Sequence, residues 1–240
     1  MTSPPLPLTG ERTLPGLAEE NYWFRRHEAV YELFAPLCRD ATVLEAGCGE
    51  GYGGQRLHDA GARIVVGVDC DGPTLAHLHT AYPALAPVRA NLVALPLRDE
   101  SVDVVVCSQV VEHLWDQPGF VGECARVLRP GGRLLISTPN RLTFPPGNIF
   151  HSRELDPAEL VSLVGAALDV RRVLGVSHGP RLRRWEAQHG DLVGAQIARP
   201  PAEWDRELRE LVGSVSAADF VVGEHAVDAS LDLVVVAERP

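Results

Sequence analysis

Between Thr42 and Thr138, short apolar β-branched runs alternate with segments whose apolar residues recur every three or four positions. The first kind suits strands buried on both faces and the second suits amphipathic helices. The predicted strands are TVLEA (Thr42 to Ala46), RIVVGVD (Arg63 to Asp69), a short piece at Val88 to Ala90, VDVVVCS (Val102 to Ser108) and RLLIST (Arg133 to Thr138). Helices are predicted from about Tyr52 to Asp59, from Pro73 onward, from Gly119 to Leu128 and from Asp156 to Ala167. Arg129-Pro130-Gly131-Gly132 reads as a stop signal after the third of these. Upstream, Trp23, Phe24, Val30, Tyr31, Phe34 and Leu37 recur at helical spacing and predict a helix over Glu19 to Leu37. Downstream, two more strands (Asp169 to Val176 and Leu231 to Ala237) flank a mostly helical insertion at about 177–225. Strands alternating with helices imply an α/β fold with a parallel sheet, right-handed crossovers and helices on both faces. Residues 1–18, rich in Pro, Thr and Gly, read as a flexible arm, and 19–240 as a single domain.

Composition narrows the chemistry. At 240 residues there is room for one core of ordinary size. A net charge of −10 argues against nucleic acid as a partner. All 22 basic residues are Arg, so no mechanism can use a lysine. Cys38, Cys48, Cys70, Cys107 and Cys124 form no CxxC pair, which points to a reducing compartment such as the cytoplasm. No secretion signal starts the chain and no apolar run reaches the roughly 18 residues of a membrane span.

The most informative stretch follows the first strand: Glu45-Ala46-Gly47-Cys48-Gly49-Glu50-Gly51-Tyr52-Gly53-Gly54. Glycines at 47, 49 and 51 let the backbone turn sharply and approach a ligand closely. The plain alternative is a tight strand-to-helix turn. Glu45 and Glu50 would repel a pyrophosphate and favour a cationic ligand. Asp69, at the end of the second strand, stands where an acid accepts hydrogen bonds from a ribose, or else it caps the next turn.

VLEAGCGEG, VVGVD, LPLRDESVDVVVCSQVVEHL and RVLRPGGRLLISTPN resemble, in that order, the class I S-adenosylmethionine-dependent methyltransferases. The likeness covers 41–140 and implies a cofactor-binding core there. It implies a Rossmann-like, seven-stranded, mostly parallel sheet whose last strand is antiparallel. It also implies that Glu45, Gly47 and Gly49 line the methionine end of the donor, with Cys48 and Gly51 as further cofactor-binding residues. Asp69 and Cys70 would then lie at the ribose, Asn91 and Leu92 at the adenine, and Gln109 would close the pocket. A nicotinamide-dependent oxidoreductase is the distant alternative, weakened by the lack of a Tyr-x-x-x-Lys pair, and a non-catalytic cofactor-binding module is another.

Glu112-His113 after the fourth strand and His151 after the fifth fall at the carboxyl edge of the sheet, where such folds bind ligands. The group is similar to the metal-dependent small-RNA 2′-O-methyltransferases and quinone O-methyltransferases, except that Gln109 stands where those carry a first Glu. Three readings follow. Glu112, His113 and His151 hold a cation such as Mg2+, or the histidines are the bases that deprotonate an acceptor, or the residues only order a loop.

The flanks leave more open. Asn21-Tyr22-Trp23-Phe24-Arg25-Arg26-His27 reads either as a lid, with Arg26 or His27 meeting the donor's carboxylate, or as a helix packed on the sheet. In the insertion, Trp185 reads as a platform for a sugar ring, and Arg181, Arg183 and Arg184 as anion ligands or a solvated face. Gly10-Glu11-Arg12-Thr13, ENYWFRRH, EHLWDQ, STPNR, FHSREL and HGPRLR resemble an actinobacterial methyltransferase type associated with methylglucose lipopolysaccharide. That likeness implies O-methylation of a sugar hydroxyl, with a small phenol, quinone or amine as the alternative acceptor.

Overall fold

The computed structural model describes Leu6, Pro7 and residues 12–240. Half of the predicted arm, including Gly10 and Glu11, lies outside the described residues. Its described part packs down: Leu6 and Leu14 are buried.

Eight strands form one sheet: β1 (Thr42–Ala46), β2 (Ile64–Asp69), β3 (Ala86–Arg89), β4 (Val102–Ser108), β5 (Leu128–Pro139), β6 (Asp169–His178), β7 (Phe220–Gly223) and β8 (Asp232–Glu238). Their order is β3-β2-β1-β4-β5-β8-β6-β7. The first five run parallel, whereas β5–β8, β8–β6 and β6–β7 pair antiparallel. Alternate residues of β1 and β4 face opposite layers: Val43, Val104 and Val106 point to one core, and Leu44, Val105 and Cys107 to the other. The first core is covered by α1 (Asn21–Phe34), α2 (Tyr52–Asp59) and α3 (Gly72–Ala81), and the second by α4 (Gln117–Val127) and α5 (Pro157–Gly165). The strand order reverses between β1 and β4, so the carboxyl ends of β1, β2 and β4 open a crevice there.

Two expectations are corrected. The sheet has eight strands and not seven, because the insertion is not purely helical. After α6 (Pro180–His189), α7 (Leu192–Ile197) and α8 (Arg206–Ser214) it supplies β7, which extends the antiparallel edge by pairing Gly175–His178 with Phe220–Gly223. Four residues between helical turns give too weak an alternation to be seen in the sequence. The fifth strand also starts earlier than Arg133: α4 ends at Val127, just before the Arg129–Gly132 stop, and the stop itself lies within β5. Leu128 pairs with Val102 and Arg133 with Val104, so the intervening residues bulge outward with Gly131 at φ 77°.

One ion pair ties the first helix to the last strand. Arg26 of α1 is buried and clasps both carboxylate oxygens of the fully buried Asp232, with a further bond of 3.0 Å to the Leu231 carbonyl. Removing one partner leaves an uncompensated charge in the core. Asp232→Ala is therefore expected to lower the unfolding free energy by about 3–5 kcal/mol, read by urea denaturation. A loss below about 1 kcal/mol would mean the pair is solvated.

Candidate functional site

At the crevice, sharp turns bring the glycine loop against two strand ends. The amides of Gly47 and Cys48 both donate to the Val68 carbonyl, at 2.8 and 2.9 Å. Gly47 has φ 73°, and a Cβ there would lie 2.6 Å from Val110, so only glycine fits. Gly51, at φ 103°, is confined in the same way by Leu78 and Tyr82. Asp69 joins the loops: one carboxylate oxygen accepts from the Gly49 amide at 3.1 Å and the other from the Asp71 amide at 2.9 Å. Capping of α3 falls to Asp71, whose carboxylate accepts from Thr74. Asp69 is thus a staple facing the crevice and not the helix cap.

The cleft so formed has a volume of about 710 Å³. Gly47, Cys48, Gly49, Asp69, Cys70, Asn91, Leu92 and Gln109 line it, together with Leu6, Arg12, Thr13 and His27. Glu45 and Gly51 were expected there and are not among its walls. Glu45 is 1% exposed and lies beneath the loop, where it accepts a hydrogen bond from the Tyr31 hydroxyl at 2.9 Å and backs directly onto Gly53 and Gly54. Burial pushes its carboxyl up to about 8. Glu50 borders the cleft, but its carboxylate accepts from His77 at 2.9 Å and from Tyr82 at 2.8 Å, so it acts as a strut to α3.

A second cavity of about 380 Å³ adjoins the first. Arg12, Thr13, His27, Gln109 and His113 border both, and so form the neck between them. The second cavity also holds Glu112 and His151, whose ligand atoms lie within 4.8 Å of one another and of that of His113, and its walls include Trp23, Phe144, Pro145, Pro146 and Ile197. Main-chain bonds fix this grouping: the amides of Ser152 and Arg153 donate to the Glu112 carbonyl at 2.8 and 3.1 Å. His113 Nδ1 lies 2.9 Å from the Phe150 carbonyl, which can only accept, so Nδ1 carries the hydrogen and Nε2 the lone pair of the neutral ring. His151 differs. Its Nδ1 faces the Glu154 carboxylate at 2.6 Å, and its Nε2 meets the Asn148 amide nitrogen at 3.0 Å. Glu112 is buried, accepts from Thr138 at 3.0 Å, and has its carboxyl pushed up to about 8 by burial.

These donors do not fit Mg2+. A hard cation asks for about six oxygens. Here there are two imidazoles and one carboxylate, of which one oxygen is engaged by Thr138, and both His151 nitrogens are engaged as well.

Other expected residues fall elsewhere. Arg26 is spent on Asp232, although it also borders the second cavity. His27 sits at the neck, with its Nδ1 3.1 Å from the Tyr52 hydroxyl, and burial lowers its pKa to about 4. Trp185 stacks on His189 with ring centroids 4.6 Å apart and lines neither cavity. Of the insertion only Ile197, among the described residues, reaches the second cavity. Sequence reasoning missed Glu154 and Asn148, each three residues from His151. That spacing was a usable signal.

A family profile described as a methyltransferase domain matches residues 44–136. A probable S-adenosylmethionine-dependent methyltransferase of Mycolicibacterium smegmatis is 53% identical over 98% of this chain and 96% of its own length. The chain belongs to the S-adenosylmethionine-dependent methyltransferases. A ubiquinone biosynthesis O-methyltransferase of Serratia proteamaculans is 30% identical over 59% of this chain and 67% of its own. Among solved structures, an S-adenosylmethionine-dependent methyltransferase from Mesorhizobium loti matches with a TM-score of 0.58 and 20% identity, covering 93% of this chain and 99% of that one, and shares the fold. Among the described residues of the methyltransferase, no helix is long and apolar enough to cross a membrane.

The buried acid under the glycine loop sets a pH dependence. A carboxyl whose folded pKa stands near 8, above its unfolded value near 4.3, favours folding fully below the unfolded value and loses that contribution as pH rises through 8. Glu45→Gln keeps the acceptor for Tyr31 and cannot ionise. Its stability relative to the parent enzyme is expected to rise between about pH 4.3 and pH 8 and to level off above that, in denaturant titrations without ligand. A constant difference would place Glu45 in contact with water.

Proposed function

We propose that this methyltransferase methylates a hydroxyl group, on a carbohydrate acceptor, with the donor in the larger cleft and the acceptor in the smaller cavity. The observation that carries the reading is the neck, where a histidine of defined tautomer borders both compartments. S-adenosylmethionine supplies an electrophilic methyl group on positive sulfur. The cleft fits that donor: it presents the Asp69 carboxylate to hydroxyls and Asn91 and Leu92 to a flat ring, and its glycines leave the backbone accessible.

An alcohol must lose its proton as its oxygen takes the methyl group, so a base is needed at the junction. His113 Nε2 is the group assigned this task, with Nδ1 anchored on the Phe150 carbonyl and Glu112 Oε1 3.9 Å from Nε2. His151, held by Glu154 and Asn148, orients the acceptor within the floor. Trp23, Phe144 and the two prolines offer flat apolar walls of the kind that pack against a sugar ring, which favours a carbohydrate over an amine. The O-methylating name of the Serratia relative supports an oxygen acceptor.

Two substitutions separate the roles. Asp69→Ala is expected to weaken S-adenosylhomocysteine by about 10- to 100-fold in calorimetric titration, given the usual strength of bonds to a charged acceptor. His113→Ala should leave that affinity within about twofold and lower kcat by about 10²- to 10⁴-fold, measured with radiolabelled donor against a panel of sugars, phenols and amines. Equal loss of binding in both variants would dissolve the division between compartments, and turnover of amines alone would replace the oxygen acceptor.

A further inference from the structure

The exposed large apolar residues of this protein are not scattered. Among the described residues six qualify, and four belong to segments that contribute to the second cavity or lie within two residues of ones that do: Trp115 at 92% exposure, Ile149 at 89%, Leu142 at 54% and, at the end of α7, Ile197 at 53%. Trp115 is two residues past His113, and Ile149 two residues before His151, so each lies within about 7 Å of chain from a floor histidine. The segments carrying them are laced together by His113 Nδ1 on the Phe150 carbonyl at 2.9 Å and by Ser152 Oγ on the His113 carbonyl at 2.9 Å. Ile197 arrives from α7 on the insertion and lines the cavity itself. Fully exposed Trp and Ile side chains carry a solvation cost that an isolated monomer does not need, and clusters of them mark binding surfaces.

We infer that this rim is the subsite for an apolar chain attached to the acceptor, so that the enzyme takes an amphipathic hydroxyl compound of the alkyl- or aryl-glycoside class. The inference rests on the hydroxyl-methylating reading given above and adds what lies beyond the reacting ring. Ile197 lines the cavity, Ile149 directly follows the lining residue Asn148, and Trp115 is two residues past the lining residue His113, so a substituent leaving a head group at His113 passes these segments. The net charge of −10 opposes the alternative of an anionic membrane surface as the occupant. The rim also surrounds a cavity mouth on separate loops, unlike the continuous face with which a second copy would pair.

The test uses methyl, hexyl and octyl β-glucoside, each below its micelle-forming concentration, with the full chain saturated by S-adenosylhomocysteine. Dissociation constants are read from ligand-observed NMR. Affinity is expected to rise about 10-fold or more from methyl to octyl, since even partly buried methylenes add up over seven carbons. The Trp115→Ser/Ile149→Ser double variant should lose that increment while keeping the parent's thermal shift with S-adenosylhomocysteine. Equal affinity for the three glucosides, failure of octyl glucoside to bind, or an undiminished increment in the double variant would overturn the inference. So would co-sedimentation with phosphatidylcholine vesicles, or a dimer that the double variant abolishes, each of which assigns the rim another occupant. Absence of any thermal shift with S-adenosylhomocysteine in the parent enzyme is a separate outcome. It would remove the methyl-transfer reading and, with it, this subsite.

Discussion

Between Gly47 and Val110 there is no room for even a methyl group, and the architecture of both cavities depends on that contact. Val110 follows Gln109 at the end of β4, so the absence of a side chain at Gly47 lets the β4 turn press against the β1 turn. A larger residue at Gly47 would push the turn that carries Glu112 and His113 away from the crevice. The first turn of α2, which follows this loop, rests on Glu45 through Gly53 and Gly54, and the loop is stapled by Asp69 at Gly49. Three independent restraints therefore hold a segment whose glycines would otherwise make it the most mobile part of the chain.

That rigidity separates two tasks which the fold places within one crevice. The larger cleft is edged by acids and backbone, with Asp69 at its centre. The smaller cavity is edged by rings, with an imidazole pair at its floor. Charge is attracted in one place and shape is matched in the other. His113 borders both because it belongs to a short turn that is bonded to the 148–153 loop and not to a helix. An imidazole on such a turn is positioned by a main-chain carbonyl, that of Phe150, which sets its tautomer.

Local features were the legible part of the sequence. The bounds of β1, α2 and β4 follow from apolar runs and the glycines beside them, and the structure agrees with them to the residue. Gly47, Cys48, Gly49, Asp69 and Gln109 reach the cleft because the residues after parallel strands must converge at a switch point. What the sequence concealed depends on partners far along the chain. Glu45 looks like a cleft acid until Tyr31, fourteen residues earlier, is seen to cover it. Arg26 reads as an anion ligand until Asp232 claims it from 206 residues away. Trp185, read as a sugar platform, is the exception: its partner His189 lies only four residues on in the same helix. Periodicity reports which face is apolar, not which neighbour will occupy it, and β7 was missed because four residues hold too few alternations to register.

Strain marks the neck more sharply than composition does. Gln109 has φ 56°, in the left-handed region that non-glycine residues seldom occupy. Its amide donates to the Ser137 carbonyl at 2.9 Å, which commits the backbone to the turn, and Val110 is then fixed by Gly47. A glycine at 109 would adopt the same backbone more cheaply. Glutamine at that place gives the neck an amide reaching toward Ser137 and a wall shared by both cavities, neither of which glycine supplies. The unfavourable conformation is held where the two cavities meet, and its neighbours on β1 and β5 over-determine it. In physical terms, the neck is the part of this fold shaped by use and not by packing.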